Sequence, residues 1–169
     1  EWKNEKWGIL LGGRLDKHNL INHVIFSPRA NLRFNPSEDI NLRLSYSSGF
    51  RAPQAFDEDL HIENVGGTVS MIERAKNLKE EKSQSFSASA DMYHRFGAFQ
   101  VNFLVEGFYT RLSDVFVLEN IGERDGILIK ERRNGSGAKV LGLSMEGKMA
   151  YLSLFQLQAG VTLQQSRYD

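Results

Sequence analysis

The chain has 169 residues, with 21 basic and 21 acidic side chains and a formal net charge of zero. The charges are scattered, which argues against the clustered basic surface of a nucleic-acid-binding protein. Cysteine is absent, which excludes disulfides and cysteine-based catalysis or metal binding within this segment. No apolar run reaches the roughly 18 residues that a transmembrane helix needs. Transmembrane strands escape such a scan because polar residues alternate with apolar ones.

Alternation of apolar and polar residues is the dominant signal in the first third of the chain. It is loose over residues 7–15 and clean over 29–34, where Ala30, Leu32 and Phe34 alternate with arginine and asparagine. It resumes over residues 40–47 with isoleucine, leucine and tyrosine against asparagine, arginine and serine. Successive side chains of a strand point to opposite faces, so these segments predict strands with one apolar and one hydrophilic face.

The same pattern continues to the end of the chain. The further alternating segments are residues 85–92, 99–106, 141–149 and 155–164. Two predicted strands, 80–95 and 99–119, exceed the usual length of about 5–6 residues for a globular strand. Residues 127–151 predict one very long strand with a bulge or kink at 134–137, where glycine and serine are concentrated.

Short and long connections alternate along the chain. The short ones are residues 35–38, 96–98 and the region around 152–153, and the long ones are 18–23, 50–79 and 120–126. If the strands run up and down, all short turns fall at one end of the sheet and all long loops at the other. This asymmetry is typical of outer-membrane barrels. The sequence therefore predicts an all-β fold, an antiparallel up-and-down meander of about seven long strands.

A soluble β-sandwich or lipocalin-like barrel alternates in the same way, with the apolar face inside. The pattern alone does not say which face is inside. The hydrophilic face is rich in serine, glutamine and asparagine, as expected of a hydrated lumen, and this favours a membrane barrel. A soluble β-sheet module that binds an apolar ligand remains the alternative.

Four stretches resemble TonB-dependent outer-membrane receptors. They are residues 48–53 (Ser-Gly-Phe-Arg-Ala-Pro), 77–83 (Asn-Leu-Lys-Glu-Glu-Lys-Ser), 108–115 and 138–147. The second departs from the family pattern at Glu80, where proline is usual, and the fourth at Ser144 and Met145. The tract from residue 28 to 49 is similar to versions common in Bacteroidetes-type receptors. The resemblance spans residues 24–160 in order and spacing.

The resemblance implies that residues 1–169 are an internal piece of a 22-stranded transmembrane β-barrel, with the plug domain and the other strands absent. It also implies a place in the Gram-negative outer membrane and a role in active import. The expected cargo is a metal chelate such as a ferric siderophore, or a cobalamin-like cofactor. The expected partners are the TonB complex, acting through the absent plug, and outer-membrane lipid. The isolated segment is expected to pair with copies of itself.

Candidate substrate-contacting residues lie at the start of the longest predicted loop. They are Arg51, Asp57, Glu58 and His61. Clustered carboxylates suit hard cations, but the spacing lacks the aspartate ladder of an EF-hand. A structural rim position for Arg51 and a solvated loop face for the acidic run are the commoner explanations. No catalytic or resident-cofactor motif is present, so we predict that the chain is no enzyme and has no cofactor or metal site.

Overall fold

A computed structural model describes residues 1–53, 70–124 and 126–169. The strands within these ranges are β1 (Trp2–Lys3), β2 (Trp7–Asp16), β3 (Ile25–Ser37), β4 (Ile40–Arg51), β5 (Ser70–Arg74), β6 (Glu81–Phe96), β7 (Phe99–Ser113), β8 (Phe116–Arg124), β9 (Ile127–Asn134), β10 (Ala138–Tyr151) and β11 (Phe155–Tyr168). No helix in the described part of the chain is long and apolar enough to cross a membrane.

Eight strands form one large sheet in the order β1-β2-β3-β4-β6-β7-β10-β11, which we call the wall. Every neighbouring pair is antiparallel. Apart from the short β1, its seven strands have 10 to 16 residues each. The predicted all-β meander of about seven long strands is therefore confirmed.

The register of the wall aligns the alternating patterns of successive strands. One row across the apolar face consists of Trp7, Phe34, Leu42, Ala90, Val105, Met145 and Val161. A slip of one residue in any pair would move that strand's apolar side chains to the opposite face. The register therefore gives the wall one apolar face and one hydrophilic face along its full width.

The prediction of a single strand over 99–119 is wrong. The interruption predicted at 134–137 is present, but it separates two strands of different sheets rather than being a bulge or kink in one strand. β7 ends at Ser113, and Asp114 adopts a positive φ of 56° that turns the chain out of the wall. Residues 135–137 interrupt the return between β9 and β10. The hairpin β8–β9 instead forms a second sheet with β5, in the order β5-β9-β8. β5 runs parallel to β9, which the simple meander did not predict.

Two predicted turns are confirmed and two predicted boundaries are shifted. Gly97, with φ of 60°, and Leu152, with φ of 49°, lie in the short turns at 97–98 and 152–154. β3 continues to Ser37, so the turn lies at residues 38–39 rather than 35–38. β8 extends to Arg124, so the hairpin tip is shorter than the predicted 120–126. In both strands the pairing shifts register at an irregularity, between Phe34 and Ser37 in β3 and between Asn120 and Gly122 in β8, and then resumes beyond it.

Few hydrophobic side chains are buried in the described residues, and they lie at the ends of strands or in the second sheet. They are Ile21, Ile25, Ala52, Ile129 and Ala138. Ile21, Ile25 and Ala52 form a small cluster with Phe50, where the connection between β2 and β3 packs against the end of β4. Side chains along the middle of the apolar face, such as Leu44 and Leu143, are exposed. The wall thus has no apolar core of its own.

Candidate functional site

The two faces of the wall differ in exposure as well as in polarity. In β6, every second residue from Ser83 to Ser89 is half-buried, whereas the intervening residues from Lys82 to Ala88 are exposed. β2 alternates in the same sense between Trp7 and Gly12. The hydrophilic face is therefore the enclosed side of the wall, and the apolar face is the outer side.

Aromatic side chains form a row across the apolar face at the end of the wall with the short turns. Phe96, Phe99, Tyr151 and Phe155 follow one another on four successive strands. Their successive ring centroids are 5.7, 4.8 and 5.7 Å apart. Rings at these distances attract one another beyond the effect of burial alone. The row is therefore a continuous aromatic band along one margin of the apolar face.

A second aromatic row lies toward the end with the long loops. Tyr46 and Phe86 have centroids 4.8 Å apart, and Phe86 is directly opposite Tyr109. Ten residues separate Phe86 from Phe96 in β6, which is about 34 Å along a strand and about 24 Å across a bilayer at the usual tilt of about 45°. Two aromatic girdles flanking an apolar band about 25 Å tall are the pattern of a transmembrane barrel.

The hydrophilic face is divided into a basic and an acidic sector. The basic sector on β3 and β4 contains Arg29, Arg33 and Arg43, and the acidic sector on β6, β7 and β10 contains Asp91, Glu106 and Glu146. Asp91 accepts hydrogen bonds from the Tyr93 hydroxyl, at 2.9 Å, and from the Asn102 amide. Glu146 pairs with Lys148 at 2.7 Å. Arg33 lies directly opposite Arg43, a like-charge arrangement that favours an anionic neighbour.

Two glycines of β2 leave room for arginines of β3. Gly12 is opposite Arg29, and a Cβ added to Gly12 would lie 2.8 Å from the Arg29 Nε. Gly8 is opposite Arg33 and leaves a wider clearance of 3.4 Å. Both side chains therefore lie close along the backbone of the neighbouring strand. A side chain at Gly12 would displace Arg29 from this position.

Asn134 ties together the segments that meet where the wall gives way to the second sheet. Its Nδ2 donates to the carbonyls of Asp114, at 2.8 Å, and Lys79, at 3.1 Å. Its Oδ1 accepts from the Lys79 amide at 2.8 Å. We call residues 51–53, 75–81, 114–116 and 134–137 the outer rim. One amide side chain thus fixes the hairpin base and the strand entry of the outer rim to each other.

Arg51 and Glu81 meet the same residue of the hairpin base. The Arg51 guanidinium lies 5.7 Å from the centroid of the Phe116 ring, within the range of a cation–π interaction. The Glu81 carboxylate accepts a hydrogen bond from the Phe116 amide at 3.1 Å. Because Arg51 and Glu81 face each other across β4 and β6, their pair fastens β8 to the wall.

Glu80 is buried at the outer rim, with its side chain 6% exposed. It contacts His23 and Lys82, each at 3.1 Å. Burial alone would raise the pKa of Glu80. A hydrogen bond from its own backbone amide and the neighbouring Lys82 and His23 outweigh that effect, so its pKa lies below the ordinary value. The carboxylate that replaces the usual proline thus joins the β2–β3 connection to β6.

Of the four predicted site residues, the structure describes only Arg51, at the outer end of β4. Asp57, Glu58 and His61 lie outside the described residues. Within the ranges that are described, no group of three histidine, aspartate or glutamate side chains is arranged to hold a metal ion.

The comparison with protein families decides the assignment. The model for "TonB dependent receptor-like, beta-barrel" matches residues 1–169. The chain belongs to this TonB-dependent receptor family. The predicted family resemblance is therefore confirmed, and so is the prediction that the chain is no enzyme. The more specific Bacteroidetes type stays a prediction. No curated protein matches the chain.

Solved structures of a siderophore receptor and an iron transporter show the same fold. The siderophore receptor PirA from Pseudomonas aeruginosa aligns with a TM-score of 0.77 at 17% identity, over 98% of this chain and 32% of that one. The FrpB iron transporter from Neisseria meningitidis aligns as its F5-1 variant with a TM-score of 0.71 at 16% identity, over 98% and 25%. Its F3-3 variant aligns with a TM-score of 0.62 at 19% identity, over 86% and 20%. The chain thus spans a third or less of these receptors.

The first two family motifs and the end of the third reach the outer rim, whereas the fourth lies within β10. Contacts at the outer rim explain several residues of the first two motifs. Arg51 and Glu81 come from the first two motifs, and Phe116 follows directly after the third. No pattern in the sequence indicates the hydrogen bonds of Asn134 or the contact between Glu80 and His23. Asn134 stands in a glycine-rich stretch and reads as a loop residue, since its partners are backbone groups far away in sequence.

Proposed function

We propose that this segment is part of the wall and outer rim of an outer-membrane active transporter. The match of the family model over residues 1–169 is the observation that carries this proposal. The exposed apolar face, bounded by two aromatic rows, supports a position in the bilayer with lipid against that face. The enclosed, charged hydrophilic face supports a polar lumen. The other strands of the barrel and a plug domain belong to the rest of the polypeptide in this proposal.

The proposed cargo is a ferric siderophore or a cobalamin-like cofactor, and the proposed energy source is the TonB complex acting through the plug. The test is to express the full-length receptor in a Gram-negative host that lacks its own siderophore and cobalamin receptors. Uptake is measured with hydroxamate and catecholate ferric siderophores and with cobalamin. We expect uptake of one probe class, abolished when the host lacks TonB. Uptake that persists without TonB would contradict energised transport, and uptake of no probe would contradict the proposed cargo.

We infer that the connection between β4 and β6 contacts the cargo, with Asp57, Glu58 and His61 as ligand-facing side chains and Arg51 at its base. The position of this connection at the end with the long loops supports the inference. The triple substitution Asp57→Asn, Glu58→Gln, His61→Ala should raise the KM for uptake about tenfold, the effect of losing one charge-assisted hydrogen bond. The control, Glu38→Gln with Asp39→Asn, changes acidic residues of a short turn at the opposite end. Equal KM values for both variants would overturn the inference.

A further inference from the structure

A row of basic side chains crosses the outer side of the wall just beyond the second aromatic row. Arg111 of β7 is directly opposite Lys139 of β10, and Lys139 is directly opposite Arg167 of β11. We call these three residues the basic row. Arg111 is two residues from Tyr109 and Lys139 is two residues from Leu141, so the side chains of the basic row lie on the apolar face. They are two residues nearer to the long loops than these neighbours. The basic row thus lies at the margin of the apolar band.

The basic row has more positive charge than its surroundings neutralise. Like charges directly opposite each other on neighbouring strands destabilise a sheet. Lys139 pairs with Asp169, but Arg111 and Arg167 form no ion pair within residues 1–53, 70–124 and 126–169. Both arginines are exposed. An anion placed between Arg111 and Arg167 would relieve this repulsion and would accept hydrogen bonds from their guanidinium groups.

A shallow apolar depression of about 710 Å³ adjoins the basic row. Phe86, Tyr109 and Leu141 line it, and the last two lie one step below Arg111 and Lys139. Its floor contains Ala88 and Gly107, which are directly opposite each other. A Cβ added to Gly107 would have no atom within 4 Å. The small residues therefore leave open apolar space next to the basic row.

We propose that the basic row and this depression together bind one phosphorylated membrane lipid of the outer leaflet. The phosphate would lie against Arg111, Lys139 and Arg167, and an acyl chain would lie over Ala88 and Gly107. Arginine matches the geometry of phosphate oxygens, and cations at a membrane margin can extend toward headgroups while their stems stay in apolar surroundings. This assignment rests on the proposed orientation of the apolar face toward lipid.

The test uses the full-length receptor in non-ionic detergent and native mass spectrometry with phosphatidic acid as the probe. Phosphatidylcholine with the same acyl chains is the zwitterionic reference. The variant Arg111→Gln, Lys139→Gln, Arg167→Gln should lose phosphatidic acid affinity on the order of 30-fold, mainly through the two arginines without an ion pair. The matched control, Arg29→Gln, Arg33→Gln, Arg43→Gln, removes three cations from the opposite face and should keep wild-type affinity. Equal losses in both variants, or no loss in either, would overturn the proposal.

Gly107→Leu tests the acyl-chain part of the site separately. The open space at Gly107 accepts a side chain without a clash, so this variant should fold. We expect weaker binding of long-chain phosphatidic acid and unchanged binding of a short-chain form. Loss of both forms, or of neither, would contradict an acyl chain in the depression. Cargo uptake is measured in parallel: a receptor that binds phosphatidic acid as expected but imports no probe would contradict the proposed cargo and leave the lipid site standing.

Discussion

Asn134 shows how single residues hold the outer rim together. Its three hydrogen bonds go to backbone groups of two other segments, Lys79 and Asp114. Because the partners of Asn134 are backbone groups, its side chain holds the two segments at a fixed distance whatever side chains stand at positions 79 and 114. The outer rim therefore depends on this amide for its geometry and on Arg51 and Glu81 for its attachment to β8.

Replacing Asn134 with alanine should loosen the outer rim without unfolding the wall. The substitution leaves the partly buried Asp114 carbonyl unsatisfied, at a cost of about 1–3 kcal/mol, whereas the bonds to Lys79 are exposed to solvent. Hydrogen exchange on the full-length receptor should speed up at residues 75–81 and 114–116 and stay unchanged in β6 and β7. Asn120→Ala is the control, because among the described residues the Asn120 side chain bonds only the nearby Gly122 amide. Equal exchange rates in both variants would show that the hydrogen bonds of Asn134 do not stabilise the outer rim.

Glu80 should make the outer rim sensitive to acid. Burial raises the pKa of Glu80. The hydrogen bond from its backbone amide and the contacts with Lys82 and His23 together lower the pKa by more than burial raises it, so the folded-state pKa lies below that of the unfolded chain. Its contribution to stability is therefore fully present above the unfolded pKa and is lost as the pH falls through the folded pKa. The thermal unfolding midpoint of the receptor should fall in acid less steeply for Glu80→Gln than for the wild type. Parallel curves for the two proteins would contradict this role.

At the scale of elements, the long strands of the wall could be predicted because a period of two over many residues has no helical counterpart. The division of side chains between two faces of one sheet was also predictable, because strand pairing aligns the alternating residues of neighbouring strands once the short turns are known. Which of the two faces is the enclosed one does not follow from the alternation alone. The break at Asp114 could not be predicted, because a positive φ in a non-glycine residue leaves little trace in sequence. The pairing of β5 with β9 joins residues 58 positions apart, and no local pattern encodes it.

The candidate site was harder to predict than the strands. Arg51 was recognised through its motif, but its contact with Phe116 depends on how the hairpin folds back onto the wall. Asn134 and Glu80 act through partners distant in sequence, and neither belongs to a residue pattern with a known chemistry. The face on which a strand residue lies follows from alternation along the strand. The contacts of a residue at the outer rim depend on which distant segments meet there.

The apolar face of β6 should reject charge more strongly than the hydrophilic face. Ala90 lies between the two aromatic rows, so Ala90→Arg should destabilise the receptor by about 2–4 kcal/mol in a bilayer. Ser87→Arg places the same side chain in the same strand on the hydrophilic face and should change stability little. Unfolding in urea from lipid vesicles measures both. A larger loss for Ser87→Arg would reverse the assignment of the faces.

At the scale of the whole molecule, the wall has two edges with unpaired backbone groups. Among the strands that the structure describes, β11 pairs only with β10, and all of its 14 residues are exposed. Open edges and an uncovered apolar face promote pairing with other chains. In the complete receptor, neighbouring strands of the barrel would occupy these edges.

The isolated segment should therefore self-associate when refolded without the rest of the barrel. Light scattering should show species larger than the 19.2 kDa monomer. Substituting lysine for Val161 and Leu163 on the edge strand should reduce association, because inserted charges oppose pairing at a sheet edge. A compact monomer in the unsubstituted chain would contradict the expectation.

The ten-residue interval between Phe86 and Phe96 has a consequence for where the receptor resides. It corresponds to a hydrocarbon layer of about 24 Å at the usual tilt, whereas a typical bilayer core is about 30 Å thick. Each ångström of mismatch costs a fraction of a kcal/mol, and the bacterial outer membrane is thinner than average. The distance between the two aromatic rows therefore fits a thin bilayer, such as the bacterial outer membrane, with less hydrophobic mismatch than a bilayer of average thickness.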